Sequence, residues 1–543
     1  MTTVSRGFSG RQVILVSIFT LIVIAAGLAQ TPTQEPTTLE LQRQMDEMRS
    51  QMVKMQNRIR ELEAAKGTAG NSSADPVPIH SETAPSEAVL SQPDEARSDN
   101  EPKSWHYKGL TLTPGGFLEG TMLVRSRNEN ADIANNYSAI PLNGSPNAKL
   151  SEFRGSARNS LQSLLLEGAT GETKLQGYVE TDFMGAAPTA NYVESNSFTP
   201  RLRQLWVQVD RPSGWTLTWG QTWSLLTTNE HGIATLTELK PATEDGQYVV
   251  GFTWTRQRTF RVTKNFNDKV WAAFSVEEPE TTYSAAFAPP NLMGLNTSPN
   301  AASGTNLLPF LANYSDGFST NLAPDLLAKV AFEPRWGHFE IKTLGRLFRD
   351  RIASTANTNG HTNITEGYGV GFGALIPFVN KKLEVPLEGL LGQGIGRYGT
   401  SGLPDATLNP MTGELRPLRE ARIMGGLVYH RSSRLDLYTY GGDEYAGRYA
   451  FISPTGKAAG YGSPLVSYAS CTNEVALNSC TGANRNIYEA TVGYWYRLFG
   501  GEYGRFEQGN QVVYMHRNLW SGIGRAPQGD DLVAFTSIRF YLP

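Results

Sequence analysis

At 543 residues the chain is long enough for several soluble domains or for one large barrel, so length alone decides nothing. Charged residues are 18%, against roughly 25% in an average soluble domain, while aromatics reach 10% and Gly numbers 54, a mixture that favours extended strands joined by turns. A formal net charge of −3 argues against nucleic-acid binding, which needs a basic surplus to neutralise phosphates.

Residues 1–29 read as a signal peptide. Arg6 and Arg11 precede an apolar run from Val13 to Leu28, and Gly27-Leu28-Ala29 supplies the small residues of a cleavage site. The alternative, an anchoring helix, is disfavoured because the run is shorter than the ~20 residues a spanning helix needs. No later stretch approaches a spanning helix, so the mature chain is either soluble or inserted as a closed barrel.

Over residues 38–66, Leu41, Met45, Met48, Met52, Met55, Ile59 and Leu62 recur at alternating steps of four and three, the seam of a periplasmic α-helical coiled coil. Arg58 at g and Glu63 at e match the Arg-apolar-x-x-apolar-Glu pattern of parallel three-stranded coils, which favours a homotrimer over a solvated single helix. Residues 67–104 turn to Ala, Ser, Pro, Glu and Asp without periodicity, a flexible linker.

From residue 105 to 543 the period changes to two. Leu175, Val179 and Phe183 alternate with Gln176, Glu180 and Asp182; Leu326, Ala328, Val330 and Phe332 alternate with Lys329 and Glu333; Ile341 and Leu347 oppose Glu340, Lys342 and Arg346. Alternation also fits soluble sandwiches. The joints discriminate: short turns near 170–172, 211–214, 264–268, 334–337, 379–382, 431–433 and 499–504 alternate with long segments near 128–154, 185–199, 225–250, 278–323, 351–366, 398–417, 442–485 and 518–528. Tight turns on one rim and long loops on the other are expected of an all-β, transmembrane antiparallel β-barrel, here of about 16 strands. Trp215, Trp219, Trp271, Trp336, Tyr496 and Phe499 sit beside the short turns, where an interfacial girdle belongs. Cys471 and Cys480 flank one polar segment and are expected to clip it with a disulfide, which suits an oxidising compartment.

The order of signal, coiled coil, spacer and barrel resembles the DcaP-like trimeric porins. Gly115-Gly116-Phe117, the run Arg201 to Val207 and Gly220-Gln221-Thr222-Trp223-Ser224 are the local matches, and the resemblance covers nearly the whole chain. It implies a trimeric outer-membrane channel for small anionic solutes, dicarboxylates included, with a basic constriction. No cofactor or metal is expected.

The segment Leu225 to Val250 is then the loop that folds into the pore, and its Glu230, His231, Glu238, Lys240, Glu244 and Asp245 can line an aqueous constriction. The facing wall needs inward basic groups, for which Arg125, Arg127, Arg201, Arg203, Arg256 and Arg258 are the candidates as i, i+2 pairs. Arg203 shares parity with Leu205, Val207 and Val209, which face outward, so either a bulge intervenes or Arg201 and Arg203 sit at the external rim against lipopolysaccharide. Catalysis is disfavoured, because His231, His430 and His516 have no nucleophile partner by motif. A structural tether or adhesin built on a closed barrel is the remaining alternative.

Overall fold

The computed structural model describes residues 104–185, 200–284, 291–293, 295, 319–471, 474 and 482–543. The expected signal peptide, the coiled coil over 38–66 and all but the last residue of the linker lie outside the described residues.

Among the described residues, sixteen antiparallel strands close into one barrel. They are β1 (Leu110–Arg125), β2 (Leu161–Thr170), β3 (Thr173–Asp182), β4 (Arg201–Asp210), β5 (Trp215–Trp223), β6 (Arg256–Asn265), β7 (Val270–Glu277), β8 (Asp325–Phe332), β9 (His338–Ile352), β10 (His361–Phe378), β11 (Leu383–Gln393), β12 (Arg419–Ser432), β13 (Leu435–Ala446), β14 (Asn484–Gly501), β15 (Gly504–Leu519) and β16 (Gln528–Tyr541). Each strand pairs with its chain neighbours, and β16 returns to β1 with Tyr541 opposite Phe117 and Val533 opposite Arg125. Closure removes the sheet edge.

The expected short turns fall where the chain reverses; of the expected long segments, residues 186–199 and most of 278–323 lie outside the described residues, and one of the others differs. The hairpin of β9 and β10 extends to Ile352 and His361, so its connection is much shorter than the expected 351–366 loop. His361, Thr362, Glu366 and Arg351 alternate in strand register there, and a polar strand end reads as a loop in hydropathy.

Period-two patterning is obeyed on both faces. Leu118, Met122 and Val124 of β1 are exposed on the outer wall while Glu119, Thr121 and Arg125 between them are buried inside. The same holds for exposed Leu326, Ile341 and Val492 beside buried Lys329, Lys342 and Glu489. An apolar outer wall around a polar interior is the inverse of a water-soluble protein. Trp215, Trp219, Trp336, Tyr496 and Phe499 stand exposed near the short turns. Trp271 departs from the expected girdle: it points inward and packs with Ile233, Leu327 and Leu344, since an aromatic at this parity fills the space beneath an internal loop.

Three of the long connections, β7–β8, β11–β12 and β13–β14, contribute short strands to two small sheets outside the barrel. Tyr283–Ser284, Ala406–Leu408 and Leu415–Pro417 form a small sheet, and Tyr449–Ile452 pairs with Ala458–Tyr461.

Candidate functional site

The segment between β5 and β6, residues 224–255, folds into the barrel and is held there by its main chain. Backbone N–H groups donate to wall carboxylates: Leu225 to Glu277 at 2.7 Å, Asn229 to Glu340 at 2.9 Å, Val250 to Glu489 at 2.8 Å, Gly251 to Glu444 at 2.9 Å and Thr253 to Glu388 at 2.7 Å. From the opposite sign, the Lys329 ammonium donates to the Thr227 carbonyl at 2.6 Å and Lys342 to the Leu226 carbonyl at 2.7 Å. Across the barrel, Trp495 Nε1 donates to the Ala242 carbonyl at 3.0 Å. Hydrogen bonds are electrostatically stronger in a low-dielectric interior than in water, so this set fixes the loop's path.

The wall makes room for the loop on β10, where Gly367, Gly369, Gly371 and Gly373 occupy successive inward positions. A β-carbon on Gly373 would lie 2.6 Å from Thr228 Oγ1 and 2.9 Å from Glu340 Oε2. Tyr248, with φ of 65°, turns the loop's return leg toward β4.

The six candidate arginines divide. At Arg203 the β3–β4 register shifts: Glu180 pairs with Gln204 but Thr181 with Leu202. Arg203 is the extra residue, and it and Gln204 both face inward, which resolves the parity conflict as a bulge. Its guanidinium donates to Glu180 at 2.6 Å and Asp182 at 2.8 Å and reaches the Tyr248 hydroxyl at 3.4 Å. Arg201 pairs bidentately with Asp182 at 2.9 and 2.6 Å. Arg256 lies over the rings of Trp223 and Trp254, 4.7 and 4.9 Å from their centroids, and its buried Nη1 has no hydrogen-bond partner among the described residues. On the loop, Lys240 is exposed to the lumen and acts electrostatically with Glu238, Tyr248 and Glu180. Arg201, Arg203 and Arg256 therefore gather with Lys240 against Glu180, Asp182 and Glu238.

Arg125, Arg127 and Arg258 do not join them. Arg125 is wholly buried in the first external loop, donating to the carbonyls of Asp132 at 2.7 Å and Ala134 at 3.2 Å and pairing with Glu152 at 3.0 Å. It organises that loop, because its five donors are taken by three backbone carbonyls, the Asn135 side chain and Glu152. Arg127 sits at the rim, paired with Asp530 at 2.9 Å. Arg258 faces outward with Phe260 and pairs with Glu278, so its i, i+2 relation to Arg256 fails: Arg256 lies over the buried Trp223 ring and Arg258 does not.

Within the loops, carboxyls are displaced upward by burial. Glu244 is pushed up to about 8 against the opposing charge of Arg539, and Asp245 up to about 6. Glu238 is raised by burial against Lys240, and Glu129 in the first loop is pushed up to about 7 against Arg125. Glu230 sits where two legs of the loop pair, its N–H donating to the Thr237 carbonyl at 2.7 Å beside the Asn229–Glu238 bridge.

A second charged cluster on β14–β16 went unnoticed in the sequence. Arg539 pairs with Glu119 at 3.0 Å between the rings of Phe117 and Trp495, and Arg497 and Arg505 meet at Glu507 at 3.1 and 2.7 Å. Its signal was parity: Arg539 follows Ser537, and Arg505 precedes Glu507, on the inward face. Cys471 is buried and disulfide-bonded; Cys480, the other cysteine of the chain, lies outside the described residues.

The fold is similar to that of the outer membrane channel DcaP of Acinetobacter baumannii. The TM-score is 0.55 at 15% identity, over 80% of this chain and 99% of that one. More distant similarity extends to an anion-selective porin from Comamonas acidovorans, with TM-score 0.42 and 10% identity over 80% of this chain and all of that one. OprB of Pseudomonas putida gives TM-score 0.40 and 10% identity over 79% of this chain and 94% of that one. No family model matches the chain, and no curated protein sequence is similar to it.

Proposed function

We propose that the protein is an outer-membrane porin, a passive diffusion channel for small hydrophilic, anionic solutes of dicarboxylate type. What supports this reading is the internal loop, which enters the barrel and brings Lys240 into one cluster with Arg201, Arg203 and Arg256; in this reading that cluster borders the passage. Fixed cations in a narrow low-dielectric pore attract anions and repel cations. Solutes move down their gradient without cofactor or energy input.

The apolar outer wall supports an outer-membrane location with the short turns in the periplasm. A homotrimer is supported by the seam from Leu41 to Leu62 and by the Arg58 and Glu63 pattern. Lipid and lipopolysaccharide are then the surrounding partners.

Planar-bilayer conductance in asymmetric salt tests the reading. Open steps in threes with an anion-favouring reversal potential support it. An electrically silent barrel supports the tether reading instead, and esterase turnover lost on replacing His231, His430 or His516 would favour an enzyme.

A further inference from the structure

The outer wall is not uniformly convex. Above the turns that join β4–β5, β6–β7 and β8–β9 it carries a depression of about 380 Å³ bordered by Trp215, Lys264, Phe266, Phe274, Ala328 and Val330. Strand register explains its shape. Trp215, Lys264, Ala272 and Val330 form one cross-strand row, and Leu217, Val262, Phe274 and Ala328 the next. Ala272 stands between Lys264 and Val330 in the first row and Ala328 between Phe274 and Thr343 in the second, and the two alanines lie diagonally, so a trough runs between Trp215 and Phe266 on one side and Phe274 on the other.

Charge marks the trough's lower end. The Lys264 ammonium lies 5.4 Å from the Trp215 ring and 5.9 Å from the Phe266 ring, donates to the Ser213 carbonyl, and keeps donors to spare. The exposed residues of the three adjacent turns add Arg211, Lys269 and Arg335 against Asp268. The turns on either side of the barrel closure carry Glu172 and Glu502 instead. A basic patch beneath an apolar trough on the membrane-facing wall is complementary to one kind of molecule, an acyl chain ending in a negative headgroup.

We propose that this trough is a binding site for an anionic phospholipid of the periplasmic leaflet. One acyl chain lies over Ala272 and Ala328 between the aromatic walls, and the phosphate meets Lys264 and the basic turns. The site rests on the barrel lying in a membrane and is independent of what passes through its lumen.

The test uses the full chain reconstituted in phosphatidylcholine vesicles carrying a fixed share of phosphatidylglycerol, then extracted with its bound lipid for mass spectrometry. Phosphatidylglycerol should be enriched over its share in the vesicle. Lys264→Gln should lower that enrichment about fivefold, the effect of removing one basic group at a membrane surface. Ala272→Leu, which fills the trough, should abolish it, and Ala328→Leu serves in its place if that variant does not fold. Ala490→Leu, on the outer wall of β14, should leave it unchanged. Absence of enrichment in the parent protein, retention of it in the filled variants, or equal loss in Ala490→Leu would overturn the proposal. Conductance measured on the same samples reports separately on the porin reading.

Discussion

Thr228 Oγ1 stands where a side chain on Gly373 would begin, and it spends its hydroxyl on Glu388 at 2.8 Å. The internal loop and the β10 wall are therefore in backbone-to-side-chain contact, with no layer between them.

Gly373→Val should push the loop off this wall toward the open lumen. Overpacking of this kind costs about 1–3 kcal/mol. Single-channel conductance should fall, whereas Gly345→Ala, where a β-carbon meets only the Leu326 carbonyl at 4.0 Å, should conduct as the parent does.

Arg203→Gln should do more than remove one cation. Glu180 and Asp182 lose a partner they meet at 2.6 and 2.8 Å, so the passage gains uncompensated negative charge. The reversal potential in asymmetric salt should shift toward cations. Arg258→Gln, on the outer wall, should leave it unmoved.

Arg125→Met tests stability rather than selectivity. It removes the cation that Glu129 and Glu152 share and takes a donor from the carbonyls of Ala131, Asp132 and Ala134, and breaking a buried pair costs about 3–5 kcal/mol. The unfolding temperature in detergent, followed by heat-modifiable gel migration, should drop, with ion preference in the surviving channels unaltered.

Glu244 and Asp245 predict the loop's response to pH. In an unfolded chain these carboxyls ionise near pH ~4, whereas in the docked loop they hold their protons to about 8 and about 6. Across that window the folded state binds more protons, so docking weakens as pH rises and is strongest in acid. Amide-exchange protection over residues 240–250 should be greater at pH 5 than at pH 9, after correction for intrinsic rates. Glu244→Gln should flatten most of that difference.

Much of the barrel was legible because its determinants are local. Turn residues and two-residue periodicity placed the strands from β2 onward, and Lys329, Glu340 and Lys342 were assigned inward from parity alone. The polar ends of β9 and β10 were missed because paired backbone, not hydropathy, makes them strands. The candidate site was harder to read. Parity put Arg125 inside, but nothing local revealed that Ala131 to Asn135 would wrap it. The bulge at Arg203 was detectable as a conflict, and only pairing with β3 resolved it. Arg256 and Arg258 looked alike by spacing, yet Arg256 is the first residue of β6 and its side chain lies over Trp223 and Trp254 at the loop junction, whereas Arg258 sits within the paired strand on the outer face.

The attachment of the internal loop has a consequence for how such a barrel can change. Glu277, Glu340, Glu388, Glu444 and Glu489 grip main-chain amides, a feature every residue but proline supplies. The wall therefore stores the route of the loop, so that side chains such as Lys240, which take no part in that grip, can be exchanged. Selectivity can drift by substitution at positions such as Lys240 without rebuilding the scaffold, as a lock is rekeyed without replacing its housing.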